Sequence, residues 1–142
     1  MENGVGLRAA DVVLFLFVLG AAGTLGELLL IGHYEGGWQW APLALLGASL
    51  MAAAWWRGTR SGAGRAAFVA TLWLLVAAGA AGLWFHYQAN VEFAAEGFPA
   101  LGGIDLFWNA VRGASPPSLA PGSLIHLGLL GLAGTFINGG RT

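Results

Sequence analysis

The sequence predicts an all-α integral membrane protein: four transmembrane helices in one bundle, plus one short amphipathic helix at the outer face. Three observations predict it. Hydrophobic residues make up 57% of the 142-residue chain and charged residues 9%, where a soluble domain carries about a quarter charged residues. Four apolar stretches approach the roughly 20 residues that cross a hydrocarbon core about 30 Å thick. None shows the period-2 alternation of barrel strands, so in lipid their backbone groups must be satisfied within helices.

The first span covers residues 9–32 and is interrupted only by Asp11 near one end and Glu27 near the other. The head before it is short and no small-residue cleavage site follows, so it reads as an uncleaved signal anchor. Residues 38–56 form the second span and residues 66–88 the third, both without charge. The fourth, residues 118–138, is shorter and rich in glycine. Pro42 and Pro121 fall in first turns, where a missing N–H costs little. The segment 57–65 is glycine-rich, carries Arg57, Arg60 and Arg65, and joins spans two and three. All 142 residues are thus expected in one transmembrane domain, with residues 89–117 as its longest non-spanning segment. Within that segment Ile104, Phe107, Trp108 and Val111 repeat at i, i+3, i+4, i+7, with Asp105, Asn109 and Arg112 on another face. This is the amphipathic helix, lying in the outer interface or capping the bundle.

Arginine placement orients the bundle. Arg8, Arg57, Arg60, Arg65 and Arg141 fall on one side and only Arg112 on the other. The positive-inside rule therefore expects both termini in the cytoplasm. Trp55 and Trp56 are expected at the inner interface, and Trp38, Trp40 and Trp84 at the outer one. The all-arginine basic set and the abundance of alanine and glycine point to a GC-rich bacterial genome, hence the bacterial inner membrane.

Composition excludes several activities. With no cysteine, disulfides, thiolate catalysis, iron–sulfur clusters and zinc–thiolate sites are absent. A net charge of −1 gives no general attraction for nucleic acid. No Gly-x-Ser-x-Gly, His-Glu-x-x-His or phosphate-loop motif occurs, so no catalytic residue is assigned. Ser123 and His126 share a helical face, but no oxyanion hole accompanies them.

The polar residues near the outer face carry what chemistry there is. Glu27 lies roughly 8 Å and His126 roughly 12 Å inside the outer end of their spans at 1.5 Å per residue. A charge at either depth costs several kcal/mol unless paired or hydrated, so the two are expected to meet in the bundle interior. His33, His86 and His126 all reach the outer side, as does Glu92. Imidazole with carboxylate suits a transition metal held by His33, His86, Glu92 and His126. Histidines on facing helices also suit a tetrapyrrole, with His33, His86 and His126 as its candidate ligands. Polar anchoring at the interface is the simpler reading of the same histidines.

Gly20, Gly23 and Gly26 in span one, and Gly128, Gly131 and Gly134 in span four, form two small-residue stripes. Such stripes let helix backbones approach where lipid removes the hydrophobic drive. The balance of much apolar surface and little polar machinery favours a non-catalytic accessory or structural subunit. Its expected partners are the lipid bilayer and either other membrane subunits or further copies of itself. The alternatives are a small oligomeric ion- or proton-coupled transporter using Glu27, and a metal- or haem-binding membrane protein.

Overall fold

A computed structural model describes residues 9–113, 116–117 and 120–139. Arg8, Arg141 and Ser118 lie outside those residues. The described chain forms five α-helices: α1 (Ala9–Leu30), α2 (Trp40–Thr59), α3 (Gly62–Gly97), α4 (Gly103–Val111) and α5 (Gly122–Gly139). A single 3-10 turn, Gly37–Gln39, leads into α2. No β-strand occurs among the described residues. Two helices, α1 and α3, are long and apolar enough to cross a membrane. The apolar part of α5, Gly122–Ile137, is shorter, roughly 24 Å at 1.5 Å per residue.

Four helices make the bundle. Helix α1 packs on α2 and α5, and α3 packs on α2 and α5, so the ring order is α1–α2–α3–α5. Burial follows spacings of three and four, as helix packing demands. On α1 the buried stripe is Ala10, Leu14, Phe17 and Ala21. On α3 it is Gly64, Phe68, Leu72, Leu75 and Gly79. Phe17, Leu46, Phe68, Leu72 and Leu75 are sealed completely. Phe68 is the centrepiece, with its ring edge-on to Phe17 at 5.3 Å and stacked on Trp56 at 5.6 Å.

Trp56 corrects the expectation of an interfacial pair. Trp55 is exposed, whereas Trp56 is buried in the core against Phe68. Successive helical residues are rotated by about 100°, so only one of two adjacent tryptophans faces outward.

The turn between α2 and α3 is tighter than the nine-residue segment suggested. Only Arg60 and Ser61 separate the helices. Arg60 ends α2 in the left-handed region (φ 55), and its N–H donates to the Trp56 carbonyl at 2.9 Å. The Ser61 hydroxyl then accepts from the Gly64 N–H at 3.1 Å, capping α3. Glycine holds a left-handed cap with no Cβ penalty, so Arg60→Gly is expected to stabilise the fold by roughly 0.5–1 kcal/mol. Thermal or denaturant unfolding in micelles measures it. Beside this turn Arg57 pairs with Asp11 at 3.0 Å and ties α2 to α1. Arg65 donates to the Thr135 carbonyl at 3.5 Å and reaches α5. We call this the arginine end of the bundle, and the other the histidine end.

The glycine stripes divide unevenly. On α5, a Cβ on Gly128 would lie 2.7 Å from the Leu72 carbonyl oxygen and 2.6 Å from Val76, and one on Gly131 would collide with Leu72. Gly134 faces Val13 of α1. That stripe is where α3 and α1 seat against α5. On α1 only Gly20 packs, against Leu127, while Gly23 and Gly26 have nothing within 4 Å of a Cβ. Gly79 and Gly82 of α3 complete the seat, close to Ile125 and Pro121.

Candidate functional site at the histidine end

Helix α3 is longer than the third span predicted. It continues unbroken past residue 88 to Gly97, so residues 89–97 of the supposed non-spanning segment are a helical extension. Helix α4 packs against it. Ala94 and Ala110 are buried there, and the Tyr87 and Phe107 rings meet across the contact with centres 6.0 Å apart.

That contact divides α4 into three sectors at 100° per residue. Ala110 is buried on the side that meets α3. Ile104, Phe107 and Trp108 form an exposed apolar sector. Asp105, Asn109 and Arg112 form a polar sector between them. The apolar stripe read from the sequence is therefore real, with Ile104 and Trp108 exposed, while Phe107 at its edge also meets Tyr87 of α3.

The chain after α4 is tied back to α3. Asn90 is buried and donates through its side-chain amide to the Pro116 carbonyl at 2.8 Å. Gly113 sits directly on the Asn90 side chain, where a Cβ would have no room. His86, one turn earlier, hydrogen-bonds the Pro117 carbonyl through Nδ1 at 2.9 Å. A carbonyl only accepts, so Nδ1 carries a proton, and in the neutral ring Nε2 is then the nitrogen with the lone pair.

His33 is delivered to this end by a tight helix stop. Gly32 takes a left-handed conformation (φ +70), its N–H bonds the Leu29 carbonyl, and the His33 N–H bonds the Leu28 carbonyl. This paired arrangement is a Schellman motif. Burial, and after it the neighbouring His86 imidazole, hold the pKa of His33 below the usual histidine value. A histidine whose folded pKa is depressed stabilises above its unfolded pKa, near 6.5. That contribution fades as pH falls through the folded value. Stability is therefore expected to decline on acidification below about pH 6.5, and His33→Phe to flatten the decline. Unfolding midpoints between neutral and mildly acidic pH measure both.

The other sequence candidates do not gather here. Glu27 is exposed on α1, away from its buried stripe, and His126 is exposed on α5, opposite Leu124 and Leu127. No hydrogen bond or ion pair joins them among the described residues, whose one ion pair is Arg57–Asp11. Glu92 is exposed on α3. Among the described residues no three His, Asp or Glu side chains group closely enough to hold a metal ion. The Ser123 hydroxyl donates to the Ala120 carbonyl at 2.9 Å, a local bond with no catalytic partner.

A feature absent from the sequence reading lies beside the α3–α4 contact. An open groove of about 620 Å³ is lined by Asn90, Phe93, Asp105, Trp108, Asn109, Arg112 and Gly113. The Arg112 guanidinium lies 5.8 Å from the centre of the Trp108 ring, a cation–π distance. The polar sector of α4 was legible from its spacing. Its meeting with Asn90 and Phe93 depends on the extension of α3, whose sequence signal is the absence of any Gly or Pro from Leu83 to Glu96.

Comparison with protein-family models, curated proteins and solved structures finds no match to this chain.

Proposed function

We propose that this chain is an integral membrane protein whose four bundle helices all cross the bilayer. In this reading the arginine end is cytoplasmic, the histidine end faces outward, and the bacterial inner membrane is the host. Its role is non-catalytic, as an accessory or structural subunit. The observation that carries the reading is an apolar exterior wrapped around a filled apolar interior. Only 17% of the apolar window of α1 and 22% of that of α3 are buried within the chain. Phe15, Leu19, Met51, Trp73, Leu129 and Phe136 project outward around the bundle. A patch that large has lipid or other membrane helices as its fitting surroundings.

The interior argues against a transport pathway through one copy. Ser49 and Thr135 are buried, yet each returns its hydroxyl to its own helix, to the Leu46 and Leu132 carbonyls at 2.8 Å. Thr71 does the same to Phe68. Their hydroxyl protons are thus committed to their own helices, and the other buried residues of these four helices beyond Asn90 are apolar or glycine among the described residues. Glu27 stands outside the packed core, where a coupling carboxylate would have no route to gate.

Two measurements test the reading. Single cysteines at Ser61 and Gly97 are expected to label from opposite sides of the membrane, and same-side labelling would overturn the four-span topology. Proteoliposomes are expected to pass no more protons or cations than empty vesicles. A flux abolished by Glu27→Gln would establish the transporter alternative instead.

A second reading rests on His86. Its Nδ1–H bond to Pro117 fixes the ring and leaves Nε2 open, the way metal-ligating histidines are oriented. Metal or tetrapyrrole binding would then involve His86 with His33. Metal content and absorption of purified protein, compared with His86→Ala, decide it: unchanged content removes His86 as a ligand.

A further inference from the structure

We propose that the groove between α3 and α4 binds the headgroup of a zwitterionic phospholipid, with Arg112 and Asn109 on the phosphate and Asp105 on an ethanolamine ammonium. The inference rests on the membrane reading above, because that reading sets the depth of the groove. On a helix rising 1.5 Å per residue, Asn90 and Phe93 lie about 3 and 7.5 Å beyond residue 88. The headgroup layer adds roughly 5–7 Å to each face of the hydrocarbon core. The groove therefore opens at headgroup level.

Its chemistry matches that layer. Asp105 near the start of α4 and Arg112 at its C-cap share one helical face, and the Arg112 guanidinium lies over the Trp108 ring. Both charges line the same groove, so one ligand carrying a phosphate and an amine two carbons apart can meet both. Neither Asp105 nor Arg112 is engaged in an ion pair among the described residues. Guanidinium pairs well with phosphate oxygens, and a carboxylate accepts from a primary ammonium. A choline headgroup has no N–H to donate, and a glycerol headgroup has no cation. The exposed apolar sector of α4, with Phe93 on the groove wall, supplies the surface over which acyl chains leave.

The test uses the full chain purified in detergent, with defined lipids added and retention counted by native mass spectrometry. One phosphatidylethanolamine is expected to be retained in preference to phosphatidylcholine and phosphatidylglycerol. Arg112→Gln is expected to weaken retention about tenfold, the scale of one charge-assisted hydrogen bond. Asp105→Asn is expected to erase the preference for ethanolamine over choline. Both side chains are exposed, and circular dichroism verifies that each variant keeps its helices. Equal retention of the three lipids, or retention insensitive to both variants, overturns the proposal. So does equally tight binding of soluble phosphoethanolamine or inorganic phosphate, which would make this a small-anion site. Alkaline extraction of native membranes separates the two levels of inference. A protein that stays with the membrane but shows no lipid preference refutes the headgroup site alone, whereas release into the supernatant refutes both.

Discussion

Gly131→Leu is expected to pry α5 from α3. A Cβ there already collides with Leu72, and at Gly128 it meets the Leu72 carbonyl oxygen and Val76. Leu72 is itself fully buried in the core, so its side chain has little space into which to retreat. Overpacking of this kind costs about 1–3 kcal/mol and sometimes more. Gly128→Leu presses on the same leucine as Gly131→Leu, so the two costs are not expected to add. Gly23→Leu on α1 is the control, because its Cβ position is open and the change should stay within about 0.5 kcal/mol. Reversible unfolding in mixed micelles compares the three variants. Equal effects at Gly131 and Gly23 would refute the assignment of α5, rather than the open face of α1, as the seat of the bundle.

Phe68→Ala is expected to be the most damaging single truncation, at about 3–5 kcal/mol. The ring is fully buried and lies between Phe17 on α1 and Trp56 on α2. Its removal empties the place where three helices meet. Trp56 loses its stacking partner, so its fluorescence should shift toward that of a wetter indole in a variant retaining Trp56 alone. Phe93→Ala, at a residue 70% exposed, should barely change stability. A loss below about 1 kcal/mol at Phe68 would mean that this aromatic layer does not hold the bundle.

The existence of the long helices was legible because apolar run length is a direct physical signal. Their rotation was not. Helices α1 and α3 are apolar all round, and where surroundings and core are alike apolar, hydropathy does not distinguish the two faces. That is why Glu27 and His126, both inside the outer ends of their spans, were expected to meet inside, although both stand outside. It is also why Trp55 and Trp56 were indistinguishable, and why Gly20 and Gly23 were grouped in one stripe. Helix α4 shows the opposite case. Its polar and apolar residues interleave at helical spacings, so both sectors are legible in the sequence. Its packing face escaped notice because Ala110 is small and carries no distinguishing signal.

The uninterrupted length of α3 has a mechanical consequence. Its 36 residues form a rod about 54 Å long, well beyond a hydrocarbon core of about 30 Å. One end carries Arg65 at the arginine turn, and the other carries Asn90 and Phe93 beside the groove. No proline interrupts it, so it transmits tilt as a lever rather than absorbing it as a hinge. A 10° change of inclination about the arginine end carries the far tip about 9 Å sideways. Whatever grips the arginine turn therefore also steers the groove at the other end of the helix.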